Sequence, residues 1–215
     1  MKNMQKTKTA HGEASTNKDG FLFLGNQLAL DLLNTRPLMD GAAREFLPDH
    51  DSLLRWYQAA GLLSAKQATE LLADWGQTSQ MKRTFQSILE FRERLRREVI
   101  SWEAGKELSR TMIEDLNILL AEHPMLARLG AEKDGLTMTV WFHPHQPEDL
   151  LAPLAYAAAR LFSKAEHERV RQCEKCVLHF HDTSKNGTRR WCSMSICGNR
   201  AKVAAFADRH RHDRK

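Results

Sequence analysis

A chain of 215 residues with 42% hydrophobic and 27% charged side chains can bury a core over most of its length, as one large domain or two small ones. It contains no run of eighteen apolar residues to serve as a transmembrane helix, and its polar opening, Met1 to Asp19, lacks the apolar stretch of a signal peptide, so a cytoplasmic protein with no membrane partner is expected. The net charge of +5 is uneven: residues 168–215 hold twelve Lys and Arg against five Asp and Glu, while the remainder is slightly acidic.

In chain order, residues 1–19 carry almost no large apolar side chains and are expected to form a disordered tail. A helix over Asn26–Arg36 would turn Leu28, Leu32 and Leu33 toward a core and stop at Pro37. A second helix is expected over Asp49–Ala60, with Asp51 or Ser52 near its start and Gly61 past its end. A third runs from Ser64 to about Trp75, opened by the capping-box pair Ser64 and Gln67. The longest spans Gln80–Ala104, because Phe85, Ile88, Phe91, Leu95, Val99 and Trp102 recur at three- and four-residue steps. Its charged run from Arg92 to Glu98 reads as a solvated face. Gly105 ends that helix, and Ser109 caps another that reaches His123.

The period then changes. Met125–Leu129 and Leu136–Phe142 read as two strands about an Asp134-Gly135 turn, terminated by Pro144 and Pro147. Glu148–Lys164 is rich in Leu and Ala with little polar face, which marks a central, largely buried helix. The expected class is mainly α with a small β-hairpin (α+β): a tail at 1–19, a helical body over 20–165 with its hairpin near 125–142, and a small four-cysteine zinc-binding module over 166–212. The short junction Ala165–Val170 favours modules that pack together over a loose tether.

All four cysteines lie in that last module, as Cys173-x2-Cys176 and Cys192-x4-Cys197 with fifteen residues between the pairs. In a reducing compartment this spacing points to one tetrahedral Zn²⁺ held by Cys173, Cys176, Cys192 and Cys197, a closed shell with no position left for a reacting water. His179 and His181 are alternative ligands of lower priority. Four thiolates with one Zn²⁺ lower the charge of this module by two, and it remains basic. Val177–His181 alternates as a short strand, Asn186-Gly187 is the tightest point of a turn, and Phe180 and Trp191 are the hydrophobic plugs of a miniature core. A helix follows from Asn199, with Val203, Phe206, Ala207 and His210 forming a stripe toward the zinc core. Arg189, Arg190, Arg200, Lys202 and Arg209 are the candidate nucleic-acid contacts, since a basic surface suits a polyanion.

Cys173-x2-Cys176, Phe180-x-Asp182-x-Ser184, Arg189-Arg190-Trp191-Cys192-Ser193-Met194 and Cys197-Gly198-Asn199-Arg200-Ala201-Lys202 together resemble the CGNR zinc-finger family of bacterial proteins. Gly25-Asn26, Leu28 and Asp31-Leu32-Leu33-Asn34-Thr35 resemble the opening of the ABATE domain that accompanies that finger. The resemblance spans roughly residues 20–210 and implies a transcriptional regulator, with DNA bound by the finger and sensing or assembly carried by the body. Asp31, Asn34 and Thr35 are polar residues in an apolar helix; they either line a pocket for an effector or brace the fold, and bracing is favoured.

Two other classes compete. A small zinc module also serves RNA or protein recognition, with Phe180 and Trp191 available to stack on bases if exposed. An enzyme would have to use His143, His145, Glu148 and Asp149, but no nucleophile or phosphate loop accompanies them, so a non-enzyme is expected. Operator symmetry favours a homodimer, although no heptad seam is present.

Overall fold

The structure, a computed structural model, describes residues 17–39, 42–132, 135–199 and 203. Helix α1 (Leu28–Leu33) is only six residues long, yet Ala29, Leu30, Asp31, Leu32 and Leu33 are all buried. Burial on every side means that α1 is surrounded by other elements, which its mixed Leu/Asp/Asn pattern alone does not reveal. Ahead of it, β1 (Asn17–Lys18) pairs antiparallel with β2 (Phe21–Leu22) across Asp19-Gly20, both at positive φ (52° and 85°). Residues 17–19 are therefore part of a hairpin and not of a disordered tail; the rest of that expected tail, 1–16, lies outside the described residues. After α1, β3 (Leu38–Met39) pairs with β4 (Ala42–Ala43).

The next helices start where side-chain oxygens take up the free N–H groups of a first turn. Helix α2 (His50–Ala59) is capped by Asp49, just ahead of the expected Asp51 or Ser52, and α3 (Ala65–Trp75) by the Ser64/Gln67 capping box. Thr78 caps α4 (Ser79–Glu103), and Ser109 caps α5 (Arg110–Glu122). Gly61 and Gly105 follow α2 and α4 at φ +76° and +79°, conformations a side chain would strain. Strands β5 (Leu126–Glu132) and β6 (Gly135–Trp141) form the long hairpin, which continues past Leu129 because pairing runs to Glu132 opposite Gly135. A 3₁₀ turn, Pro147–Leu150, leads into α6 (Leu151–Lys164), whose Leu151, Leu154, Ala155, Ala158 and Leu161 are buried as expected of a central helix.

Helices α1, α2, α4, α5 and α6 share one apolar core in which Trp56, Tyr57, Phe91, Leu30 and Ile88 are wholly or almost wholly buried. Each such side chain is worth about 1.5–3 kcal/mol of transfer free energy. The Tyr57 hydroxyl donates to the Leu150 carbonyl, and burial pushes its pKa well above the usual phenol range. A buried cation also lies in this region. Arg92, expected on a solvated face, is 2% exposed. Its guanidinium donates to Glu45 Oε1 and Oε2 at 2.8 and 2.6 Å and to Thr35 Oγ1 at 3.0 Å, so the buried cation is paired and hydrogen-bonded.

The chain then forms β7 (Val170–Gln172), pairs it antiparallel with β8 (His179–His181), and closes with a π-helical turn at Met194–Gly198. Here a second, smaller core gathers Leu178, Phe180 and the cysteines, and it includes Leu24 from the start of the chain.

Candidate metal centre

The 170–199 segment builds the centre from two knuckles. In the first, Cys173 N–H donates to Leu178 O at 2.8 Å and Val177 N–H donates back to Cys173 O at 3.0 Å, a tight turn with Val177 at φ +53°. In the second, Cys197 and Gly198 N–H both donate to Ser193 O at 3.0 Å. The wider π turn takes up the extra spacing of Cys192-x4-Cys197. A Cβ at Gly198 would lie 2.6 Å from Met194 Sδ, so the Met194 side chain packs closely over this glycine. Glu174 N–H to Arg190 O, 3.2 Å, ties the knuckles together.

These turns place the four Sγ atoms within 4.8 Å of one another, with Cys176–Cys192 at 3.4 Å and Cys192–Cys197 at 3.7 Å. A tetrahedron of thiolates about 2.3 Å from a zinc ion has edges of about 3.8 Å, so the cluster fits that ion with only small adjustments. Protonation points the same way. Hydrogen bonds from Cys176 and Cys192 hold the Cys173 thiol far below the usual range, while the Cys173 sulfur pushes Cys176 up to about 12 and Cys192 higher still.

His179 and His181 stand outside the cluster. The His179 ring is buried, and its Nε2 lies 3.7 Å from Glu103 Oε2, too far for a hydrogen bond. Burial, and after it the Arg96 charge, lower its pKa to about 4, so the imidazole is neutral and the Glu103 contact is not an ion pair at neutral pH. Phe180 is fully buried and Trp191 half-buried, so of the two expected plugs only Trp191 reaches a surface.

Asp182 organises the loop between the pairs. It is fully buried, and its carboxylate accepts from Ser184 N–H at 2.9 Å and Arg189 N–H at 2.7 Å. Burial works against ionisation, but these donors outweigh it and hold the pKa below the usual carboxylate range. Arg169, just ahead of β7, donates to Ser184 O at 2.9 Å and Arg171 of β7 donates to Gly187 O at 2.8 Å, clamping the loop.

The candidate nucleic-acid contacts divide. Arg189 donates to Cys192 O and lies 5.0 Å over the Phe180 ring. Arg190 makes a two-point pair with Glu174 at 2.7 and 2.6 Å and sits 5.5 Å from the Trp191 ring. Both border a cleft of about 450 Å³ with Ser184, Lys185, Asn186 and Trp191. Arg200, Lys202 and Arg209 lie outside the described residues, as do Phe206, Ala207 and His210 of the expected helical stripe; Val203 of that stripe is 68% exposed and not packed on the zinc core.

Asp31, Asn34 and Thr35 are engaged in holding the fold. Asp31 Oδ1 accepts from Gly25 N–H at 2.7 Å, and Thr35 Oγ1 donates to Leu32 O at 2.6 Å. Asn34 reaches across to the finger: Oδ1 accepts from His179 N–H at 2.9 Å and Nδ2 donates to His179 O at 2.8 Å. Gly25 O accepts from His181 N–H at 2.8 Å, and Asn26 Nδ2 donates to His181 O at 2.9 Å. The polar groups of this segment thus satisfy the free edge of β8 as a neighbouring strand would. Gly25 cannot carry a side chain, because a Cβ would lie 2.7 Å from Leu30 Cβ. Sequence reading missed this long-range role; the polar residues at 26, 31 and 34 signalled an obligation but not its partner. Asn34 also borders a cavity of about 210 Å³ between body and finger. At the other end of the body, Asp149 spends its oxygens on His145 N–H (2.8 Å), Gln146 N–H (3.2 Å) and His123 Nδ1 (3.1 Å), a capping role.

Comparison with known proteins accounts for nearly all of this arrangement. The ABATE family, described as "Putative stress-induced transcription regulator", matches residues 26–165. The chain belongs to the ABATE family. The CGNR zinc finger matches residues 169–210, directly after it. No curated protein matches the chain. Neither family is an enzyme family, and the finger's family together with the four converging sulfurs supports one structural zinc ion. Among the described residues no helix is long and apolar enough to cross a membrane.

Proposed function

We propose that this ABATE protein is a cytoplasmic DNA-binding transcriptional regulator, with residues 166–212 as the DNA-contacting module and 20–165 as a body for sensing or assembly. The observation that carries the reading is the finger cleft bordered by Lys185, Arg189, Arg190 and Trp191, held in shape by Asp182 and the sulfur cluster and continued by a basic C-terminal segment. Zinc would make no contact with DNA; it would fix the loop that presents the cations. Arg190 must leave Glu174, or share it, to reach a phosphate, so Glu174 restrains binding.

Fluorescence anisotropy with duplex DNA across a salt series tests this. Lys185→Glu with Arg190→Glu should weaken binding at least about tenfold and lower the salt slope of what remains by about one to two phosphate contacts. Glu174→Gln should tighten binding several-fold. Absence of duplex binding at low salt with zinc loaded would remove the proposal. Trp191, half-exposed beside Arg190, favours single-stranded RNA as the second reading, since an aromatic face beside a cation suits an unpaired base. Competition between the two nucleic acids separates them.

A further inference from the structure

The β5–β6 hairpin projects an apolar face that is largely uncovered among the described residues. Directly paired residues of an antiparallel ladder point to the same side, so the register Ala127–Val140, Leu129–Met138 and Ala131–Leu136 puts six apolar side chains on one face. Leu129, Met138 and Leu136 are 64, 65 and 73% exposed, and Ala127 and Ala131 are exposed beside them. The opposite face is mixed: Arg128, Thr137 and Thr139 lie there with Gly130, and its far end carries the paired Leu126 and Trp141, 45 and 37% exposed. A two-stranded hairpin is only marginally stable alone, and the largest exposed apolar patch of a protein often marks an interaction site.

We infer that this face is the contact between two copies of the chain, which pack hairpin on hairpin about a two-fold axis. Three features select a second copy. First, the face is self-complementary. An axis through its centre sets Leu129 and Met138 against the same pair of the partner subunit. It also sets the bulky Leu136 end against the smaller Ala127–Val140 end. Second, none of these six side chains is charged. In a molecule of net charge +5, self-association needs a surface where like charges do not meet, whereas a charged partner would find no counterpart here. Third, the area is that of a small, weak interface. The exposed parts of these side chains amount to roughly 400–500 Å² per copy, so a pair buries about 800–1,000 Å², at the lower edge for a specific contact. The chain's own remaining segments offer little to cover the face. Residues 1–16 contain only Met1 and Met4 as large apolar side chains, and residues 204–215 only Phe206. The inference does not depend on nucleic-acid binding.

Sedimentation of the zinc-loaded full chain tests it. The mass should rise from 24.7 kDa toward twice that value. An interface this small places the rise between roughly 1 and 100 µM. Met138→Glu should stay at the single-chain mass throughout that range, weakening association at least about tenfold, with zinc content and circular dichroism unchanged. Met138→Leu should keep the dimer. Thr137→Glu, on the opposite face of the same strand, should keep it too. A parent chain that is monomeric at the top of the range overturns the inference, as does a Met138→Glu chain that still dimerises. Equal loss in Thr137→Glu overturns the assignment to this face.

Discussion

Trp56, Tyr57, Phe91 and their neighbours give the helical body one continuous apolar core, whereas the finger has Leu24, Leu178 and Phe180 packed around four sulfurs. Four of the body's helices, α2 to α5, begin at Asp49, Ser64, Thr78 and Ser109, each with its own oxygen on a backbone N–H, so their starts are specified locally, whereas α1 and α6 have no side-chain cap. The finger has two three-residue strands, a π turn and a loop pinned by Asp182, Arg169 and Arg171. A segment of that kind buries too little apolar surface to offset its own ordering entropy, so its order depends on the metal and on the body. The lesson of the contrast is that a sequence boundary near 165 is not a packing boundary. Leu24 belongs to the finger's core, and Gly25, Asn26 and Asn34 bind the edge of β8.

Removing zinc should open the widest gap between the two regions. Structural zinc contributes about 10–16 kcal/mol to small zinc modules, so a chelator, or Cys192→Ser, should unfold 170–199 while leaving the body helical. Hydrogen exchange should show loss of protection in β7 and β8 with α4 and α6 still protected; simultaneous loss in α4 and α6 would show that the body has no independent stability.

The next effect concerns pH and lies in the body. Burial raises the Asp31 pKa to about 7, against the hydrogen bonds from Gly25 and Leu24 that favour its anion. The folded state therefore holds this proton more tightly than the unfolded chain does. Its stabilising contribution is full below about pH 4 and is lost as pH rises toward 7, a change of at most about 4 kcal/mol. Asp31→Asn keeps an acceptor for Gly25 N–H and should be more stable than the parent at pH 8, with a smaller slope between pH 5 and 8 in denaturant titrations. An identical slope in both proteins would refute the assignment.

The third effect lies at the seam. Asn34→Ala leaves the N–H and C=O of buried His179 without partners, which should cost about 2–3 kcal/mol. The loss should appear as earlier melting of the finger, read from hydrogen exchange of the β7 and β8 amides on heating, with the body's own transition little changed. Uniform destabilisation of both transitions would mean that the two regions unfold together.

Several parts of this protein were readable before any folding was considered. Helical spacing with Ser64, Ser109, Gly61 and Gly105 located the body's helices, since caps and periodicity act within a few residues. The cysteine spacing located the metal centre because a tetrahedral ion imposes its own geometry on any chain that holds it. Other features were set only by the tertiary structure. Arg92 looked like a solvated charge until Glu45, 47 residues away, came beside it. Asn34 looked like an internal brace until β8, 145 residues away, supplied its partners. Asp49 shows a smaller gap, capping two or three residues ahead of the expected Asp51 or Ser52, and the longest helix begins at Ser79, one residue before its expected start. Local propensity and ligand spacing are properties of neighbouring residues and survive in the bare sequence. A buried polar group carries only the requirement for a partner, and which group meets it is decided when distant segments pack.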